Sequence, residues 1–160
     1  MDQTVLNTLL RNVAELTWEH IVLVGISCGI AVVIGVGVGI AGTRHARVRR
    51  VSVWVANILQ TIPSLALFGF LLPVPLIGGI GRHTAIISLV LYSLLPILRN
   101  TIVGIASVNV PVREAAIAMG MTDRQLLRMV ELPLAAPTIL AGIRIALITN
   151  IGTAVIAAVI

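Results

Sequence analysis

Residues Glu114–Pro133 read EAAIAMGMTDRQLLRMVELP, a polar island in a chain that is 58% hydrophobic and 11% charged. The island holds Glu114, Asp123 and Glu131, three of the six acidic residues, together with Arg124 and Arg128. Just upstream, Pro111 suits the first turn of a helix, where a missing N–H costs little. Gly120 suits the left-handed residue that ends a helix. Thr122 and Gln125 have the spacing of a capping box and start a second helix. Pro133 disfavours continuing that helix unbroken. The spacing therefore predicts a helix–turn–helix outside the bilayer. A membrane protein has little reason to keep such an element unless something docks on it.

The remainder of the 160-residue chain reads as membrane-spanning. Soluble domains carry about 25% charged residues, whereas mean hydropathy here is +1.09. About 20 apolar residues cross a hydrocarbon core as a helix. Ile21–Thr43 is uncharged and long enough. Val51–Gly81 is too long for one span without a turn. It predicts a helix over 51–72 and an external turn at Pro73, Pro75, Gly78, Gly79 and Gly81. Thr84–Leu98 and Ala135–Ile160 complete about four spans of an all-α integral membrane protein. Residues 1–20 carry Leu6, Leu9, Leu10, Val13 and Leu16 at helical spacing, which fits a separate helix on the interface. Trp18 stands at its end, at headgroup level.

Charge orients the spans. The net charge of +5 comes from Arg alone, with no Lys. Arg44, Arg47, Arg49 and Arg50 follow the first span; Arg99, Arg113, Arg124 and Arg128 follow the third. Only Arg11 and Arg82 fall on the other side. By the positive-inside rule, segments 44–50 and 99–133 are cytoplasmic and the N-terminus is external. Such flanking Arg residues are not a nucleic-acid footprint. No stretch has the form of a cleavable signal peptide.

No catalytic constellation is present in the sequence. There is no G-x-x-x-x-G-K-[ST] loop. His20, His45 and His83 are scattered without metal spacing, and no Ser has an arguable His–acid partner. Cys28 is the single cysteine, so no internal disulfide forms. The chain is not expected to bind a cofactor or to hydrolyse anything. If it does active work, the energy comes from another subunit.

Several polar residues lie within the spans. Asn57, Gln60, Thr61 and Ser64 surround Pro63, a helix breaker. They fit interhelical hydrogen bonding and also a hinge lining a translocation path. Tyr92 and Asn150 are further candidates for that path. Gly25–Gly29 and Gly35–Gly39 are small-xxx-small pairs, which favour close helix packing over a pore role. Arg144 lies some way into the last span, where snorkelling is preferred to a polar interior.

The island also resembles a known family. Glu114-Ala115-Ala116, three residues, Gly120, then Leu132-Pro133 resembles the EAA loop of ABC importer permeases. QTIPSLALFGFLLP (Gln60–Pro73), YSLLPILRNT (Tyr92–Thr101) and ELPLAAPTILAGIR (Glu131–Arg144) look like the osmoprotectant branch, which carries glycine betaine, carnitine, choline and related compounds. The resemblance covers roughly residues 20–160. It implies a type I importer transmembrane domain over residues 21–160, with coupling loop 111–133, in a bacterial or archaeal cytoplasmic membrane. It implies that Arg113, Glu114, Ala115, Ala116, Gly120, Leu132 and Pro133 couple to a cytoplasmic ATPase that uses ATP and Mg. It further implies a second permease copy or paralogue and an extracytoplasmic solute-binding protein, embedded in membrane lipid. The family has a fifth helix, and the apolar run stopping at Ile160 reads as a truncated chain.

Within the same class, the alternative is a permease for another small solute such as an amino acid. Outside it, an ATP-independent channel or secondary transporter is disfavoured. The sequence shows no internal repeat, and no Asp or Glu within any span for ion coupling.

Overall fold

A computed structural model describes residues 3–75, 79 and 81–157, all helical where regular. Helix α1 runs over Gln3–Arg44, its 42 residues spanning about 60 Å. The expected division between an interfacial segment and a first span is absent. No Gly or Pro occurs before Gly25 to interrupt the helix. The first turns instead project from the bundle, with Leu10, Leu16 and Trp18 exposed. Arg82 reaches back to Glu19 at 2.5 Å and ties this arm to the bundle.

Helix α2 (Ala46–Thr61) follows after His45 alone, so Arg47, Arg49 and Arg50 lie in its first turn and a half, not in a loop. The single helix expected over 51–72 is broken at Ile62–Pro63, and α3 (Ser64–Leu71) resumes the passage. Gly79 and Gly81 have φ of 112° and 147°, which suits the expected turn. Gly78 lies outside the described residues, as does Ile160.

Helix α4 (Arg82–Ala106) is the central element, packed by α1, α2, α3 and α7 (Leu132–Ala157). It continues beyond the apolar run that ends at Leu98, as far as Ala106. Among the described residues, three helical stretches are long and apolar enough to cross a membrane: Asn7–Arg44, Arg82–Ala106 and Asp123–Val155. The broken α2–α3 pair is not among them, because the break at Ile62–Pro63 leaves each piece too short.

Small residues let these helices approach. A Cβ on Gly35 would lie 2.8 Å from Ile97, and one on Gly39 would lie 2.7 Å from Thr101. The expected role of this pair in close packing against α4 is observed. Gly25 and Gly29 meet nothing within 4 Å, so that pair makes no close approach among the described residues. At Gly142, α7 comes close to α4, where a Cβ would lie 2.5 Å from Asn100 Cβ and 2.7 Å from the Pro96 carbonyl. The core is layered along the bundle. Val24, Leu89 and Ala154 form one cluster; Ala31, Val90, Ile97 and Ala146 the next; Ile105, Ala135 and Ile139 lie toward the Arg-rich end.

Candidate functional site

The polar island folds as its turn chemistry predicts. Helix α5 (Val110–Ala118) begins with Pro111 in its first turn. It ends in a Schellman turn: Gly120 N–H donates to the Ile117 carbonyl at 2.9 Å, and Met121 N–H to the Ala116 carbonyl at 3.2 Å. Gly120 has φ +81°, a backbone conformation that L side chains adopt only with strain. Thr122 then caps α6 (Asp123–Gln125) through a complete capping box. Thr122 N–H donates to Gln125 Oε1 at 2.9 Å, and Gln125 N–H to Thr122 Oγ1 at 3.4 Å.

The second helix does not stop at Pro133. It passes through a π-helical segment, Leu126–Glu131, directly into α7, with Leu132 N–H donating five residues back to the Leu127 carbonyl. A proline ring clashes with the carbonyl four residues earlier in a regular α-helix. The wider π turn relieves that crowding, and Pro133 then sits in the first turn of α7. Helix α5, by contrast, stands as a separate short rod against the π segment.

Glu131 closes this joint. It is fully buried, and both carboxylate oxygens are taken. Arg44, the last residue of α1, donates to Oε2 at 2.5 Å. Arg113 of α5 donates to Oε1 through Nε at 2.8 Å and through a second guanidinium nitrogen. A buried carboxylate is tolerated only with partners of this kind. One side chain thus joins the end of α1, the short rod α5 and the root of α7.

The expected coupling residues divide accordingly. Glu114, Ala115 and Gly120 are exposed, as is Pro133. Ala116 is buried, and Leu132 is half-buried against the Ile105 cluster. Arg113, expected to reach across to the ATPase, has an internal partner instead, because Glu131 requires one. The protruding face carries Ile117 at 58% and Met119 at 72% exposure beside Glu114.

The expected path residues do not form one group. Gln60 and Tyr92 make a reciprocal clasp between α2 and α4. Gln60 Nε2 donates to the Tyr92 carbonyl at 3.1 Å, and Tyr92 Oη–H donates to the Ile62 carbonyl. Each carbonyl is one a proline disturbs: Pro96 cannot donate to Tyr92, and the break at Pro63 leaves Ile62 outside the helical pattern. For Gln60 the interhelical hydrogen-bonding alternative is the one observed, with the path candidate Tyr92 as its partner. Thr61 bonds its own helix at Ile58, and Asn57 and Pro63 are exposed while Ser64 is half-buried. Asn150 lies elsewhere, fully buried in α7 between the layers of Ala146 and Ala154. Ser27 occupies the matching turn of α1. Among the described residues, neither amide atom of Asn150, nor the Ser27 hydroxyl, has a hydrogen-bond partner. Arg144 points away from the interior of the chain.

Residues 31–160 match the family described as "Binding-protein-dependent transport system inner membrane component". The chain belongs to this family. It is thus a multi-pass membrane component of a transport system. The osmoprotectant import permease protein OsmW of Salmonella typhimurium is 47% identical over 149 residues, covering 92% of this chain and 69% of the relative. The carnitine transport permease protein OpuCD of Listeria monocytogenes is 44% identical over 90% of this chain and 63% of its own. The choline transport system permease protein OpuBB of Bacillus subtilis is 43% identical over 90% and 65%. The chain thus spans about two thirds of the length of these curated relatives. Among solved structures, the inward-facing MetNI methionine ABC transporter superposes with a TM-score of 0.77. It is 29% identical, covering 96% of this chain and 74% of that one. The fold is accordingly that of a type I importer transmembrane domain.

Sequence reasoning missed Arg44 and Glu131 as partners. Arg44 reads as one more orienting charge, and Glu131 as an ordinary polar residue of the loop. A signal was available: an acid at the root of an apolar helix needs a cation nearby.

Proposed function

We propose that this chain is the membrane-spanning permease subunit of an ATP-driven importer for quaternary-ammonium osmoprotectants such as glycine betaine, carnitine and choline. The observation that carries the reading is the protruding α5 rod. It ends in a fixed turn at Gly120, exposes an apolar face beside Glu114, and is anchored to the bundle through Glu131. Relatives named for osmoprotectant, carnitine and choline transport supply the substrate class. The likeness to a methionine transporter favours a second reading, a permease for another small solute.

In this reading α5 docks on a cytoplasmic ABC ATPase subunit, which binds and hydrolyses ATP with Mg. Segments 44–50 and 99–133 face the cytoplasm, and the start of α1 lies outside. A second permease copy or paralogue completes the pore, and an extracytoplasmic binding protein delivers the solute. Closure of the ATPase pair displaces α5. Because Glu131 holds Arg113 and Arg44 together, the displacement reaches the roots of α7 and α1 as a rigid-body movement. Exposed Thr61 stands beside the α2–α3 break, a suitable hinge and path wall.

Gly120→Asp and Glu114→Lys test this directly. Both should abolish solute uptake and weaken ATPase association while leaving the protein in the membrane. Wild-type uptake in both would overturn the coupling role.

A further inference from the structure

Arg49 and Arg50 of α2 and Arg99 of α4 line a single cavity of about 490 Å³, together with Asn57. Among the described residues, no acidic residue lines it. None of the three Arg residues is in an ion pair among the described residues. The remaining wall is largely apolar and includes Val53 and the exposed Trp54.

Neither helix stability nor orientation accounts for this convergence. Arg49 and Arg50 stand near the start of α2, where the helix dipole disfavours cations, and no acid in the first turn offsets them. Orienting charges need not share a cavity. Arg99 arrives from another helix and from a deeper level. Ala56 packs on Leu95, Leu98 and Ile102, which places Arg99 beside Asn57. That level is about 10 Å along α2 from Arg49. Arg99 is exposed there and has no ion-pair partner among the described residues, so its guanidinium is free to meet an anion in the cavity.

We propose that this cavity binds the phosphate head group of an anionic phospholipid. Guanidinium groups match phosphate oxygens in charge and fork geometry. Basic pockets between membrane helices are suited to such head groups. Asn57 adds an amide donor at the deep end, and Val53 with Trp54 offers a surface for the glycerol and acyl chains. The same three cations repel a quaternary ammonium group. That argues against the cavity as a stopping place for the transported solute, and the inference stands apart from the substrate proposed above.

The test uses the assembled transporter, purified in mild detergent, with phosphatidylglycerol retention read by native mass spectrometry. Each Arg near an anionic surface contributes about 1 kcal/mol. Arg49→Gln with Arg99→Gln should therefore lower retention about thirtyfold, and Arg99→Gln alone about fivefold. Arg47→Gln, which removes a neighbouring charge outside the cavity, should leave retention unchanged. In vesicles, the wild type should transport faster with equal parts phosphatidylcholine and phosphatidylglycerol than with phosphatidylcholine alone, and Arg99→Gln should lose that difference. Unchanged retention in the double variant overturns the proposal. Equal loss in Arg47→Gln does so too, by showing a diffuse charge effect, as does displacement of the lipid by glycine betaine. If the double variant fails to assemble, Arg99→Gln alone decides between the same outcomes.

Discussion

Glu131 and Asn150 are both fully buried on the same continuous helical course, yet their surroundings are opposite. Glu131 gives both oxygens to Arg44 and Arg113, drawn from two other helices. Asn150 has no partner for either amide atom among the described residues. The difference follows from what each burial costs. An unpaired buried carboxylate costs several kcal/mol and is not tolerated. An unpaired amide costs about 1–3 kcal/mol, which a well-packed bundle can absorb. The Arg-rich end is thus held by specific electrostatic pairing, and the middle by close packing of small residues. The proposed movement of α5 lies at the electrostatically held end.

The largest expected effect tests the first half of this contrast. Arg113→Met leaves Glu131 with Arg44 alone, and losing the two charge-assisted hydrogen bonds from Arg113 costs about 3 kcal/mol. Thermal unfolding in detergent should show a clear fall in Tm. Little change would mean that Glu131 is not held as described. Next comes the packing of the middle. Gly142→Val must displace Asn100 and the Pro96 carbonyl, a cost of about 1–3 kcal/mol. Gly25→Ala, which meets nothing within 4 Å, should be tolerated, and the two melting curves compared side by side check the claim.

These contrasts also show what the sequence could reveal. Turn chemistry is local, so Gly120 and the Thr122–Gln125 capping box are legible within a few residues. The E-A-A, Gly and Leu-Pro spacing is equally local and points to the family. The pairing of Arg44 with Glu131 spans 87 positions, and no local pattern encodes it. The Gln60–Tyr92 clasp is hidden for the same reason: two prolines on different helices create its acceptors. The continuity of α1 past residue 20 was obscured by polarity, since charged residues propagate a helix as well as apolar ones do. Pro133 misled because a π segment, which spacing alone does not announce, makes room for the ring.

Smaller effects sharpen the comparison further. Gln60→Leu strips the Tyr92 carbonyl of its donor, and Tm should fall by an amount matching about 1 kcal/mol. Asn150→Leu should be neutral or mildly stabilising, because it removes an unpaired amide at similar volume. A destabilisation above about 1 kcal/mol there would show that Asn150 has a partner after all, and the contrast with Glu131 would collapse.

The central claim is that Glu131 transmits movement of α5 into the bundle. Solute uptake per ATP hydrolysed, measured for Glu131→Gln in the reconstituted transporter, tests it most directly. The substitution keeps the side chain's size and removes the charge that holds two Arg residues together. The account predicts near-normal ATP hydrolysis with uptake lowered about tenfold or more. Uptake per ATP equal to wild type would contradict it.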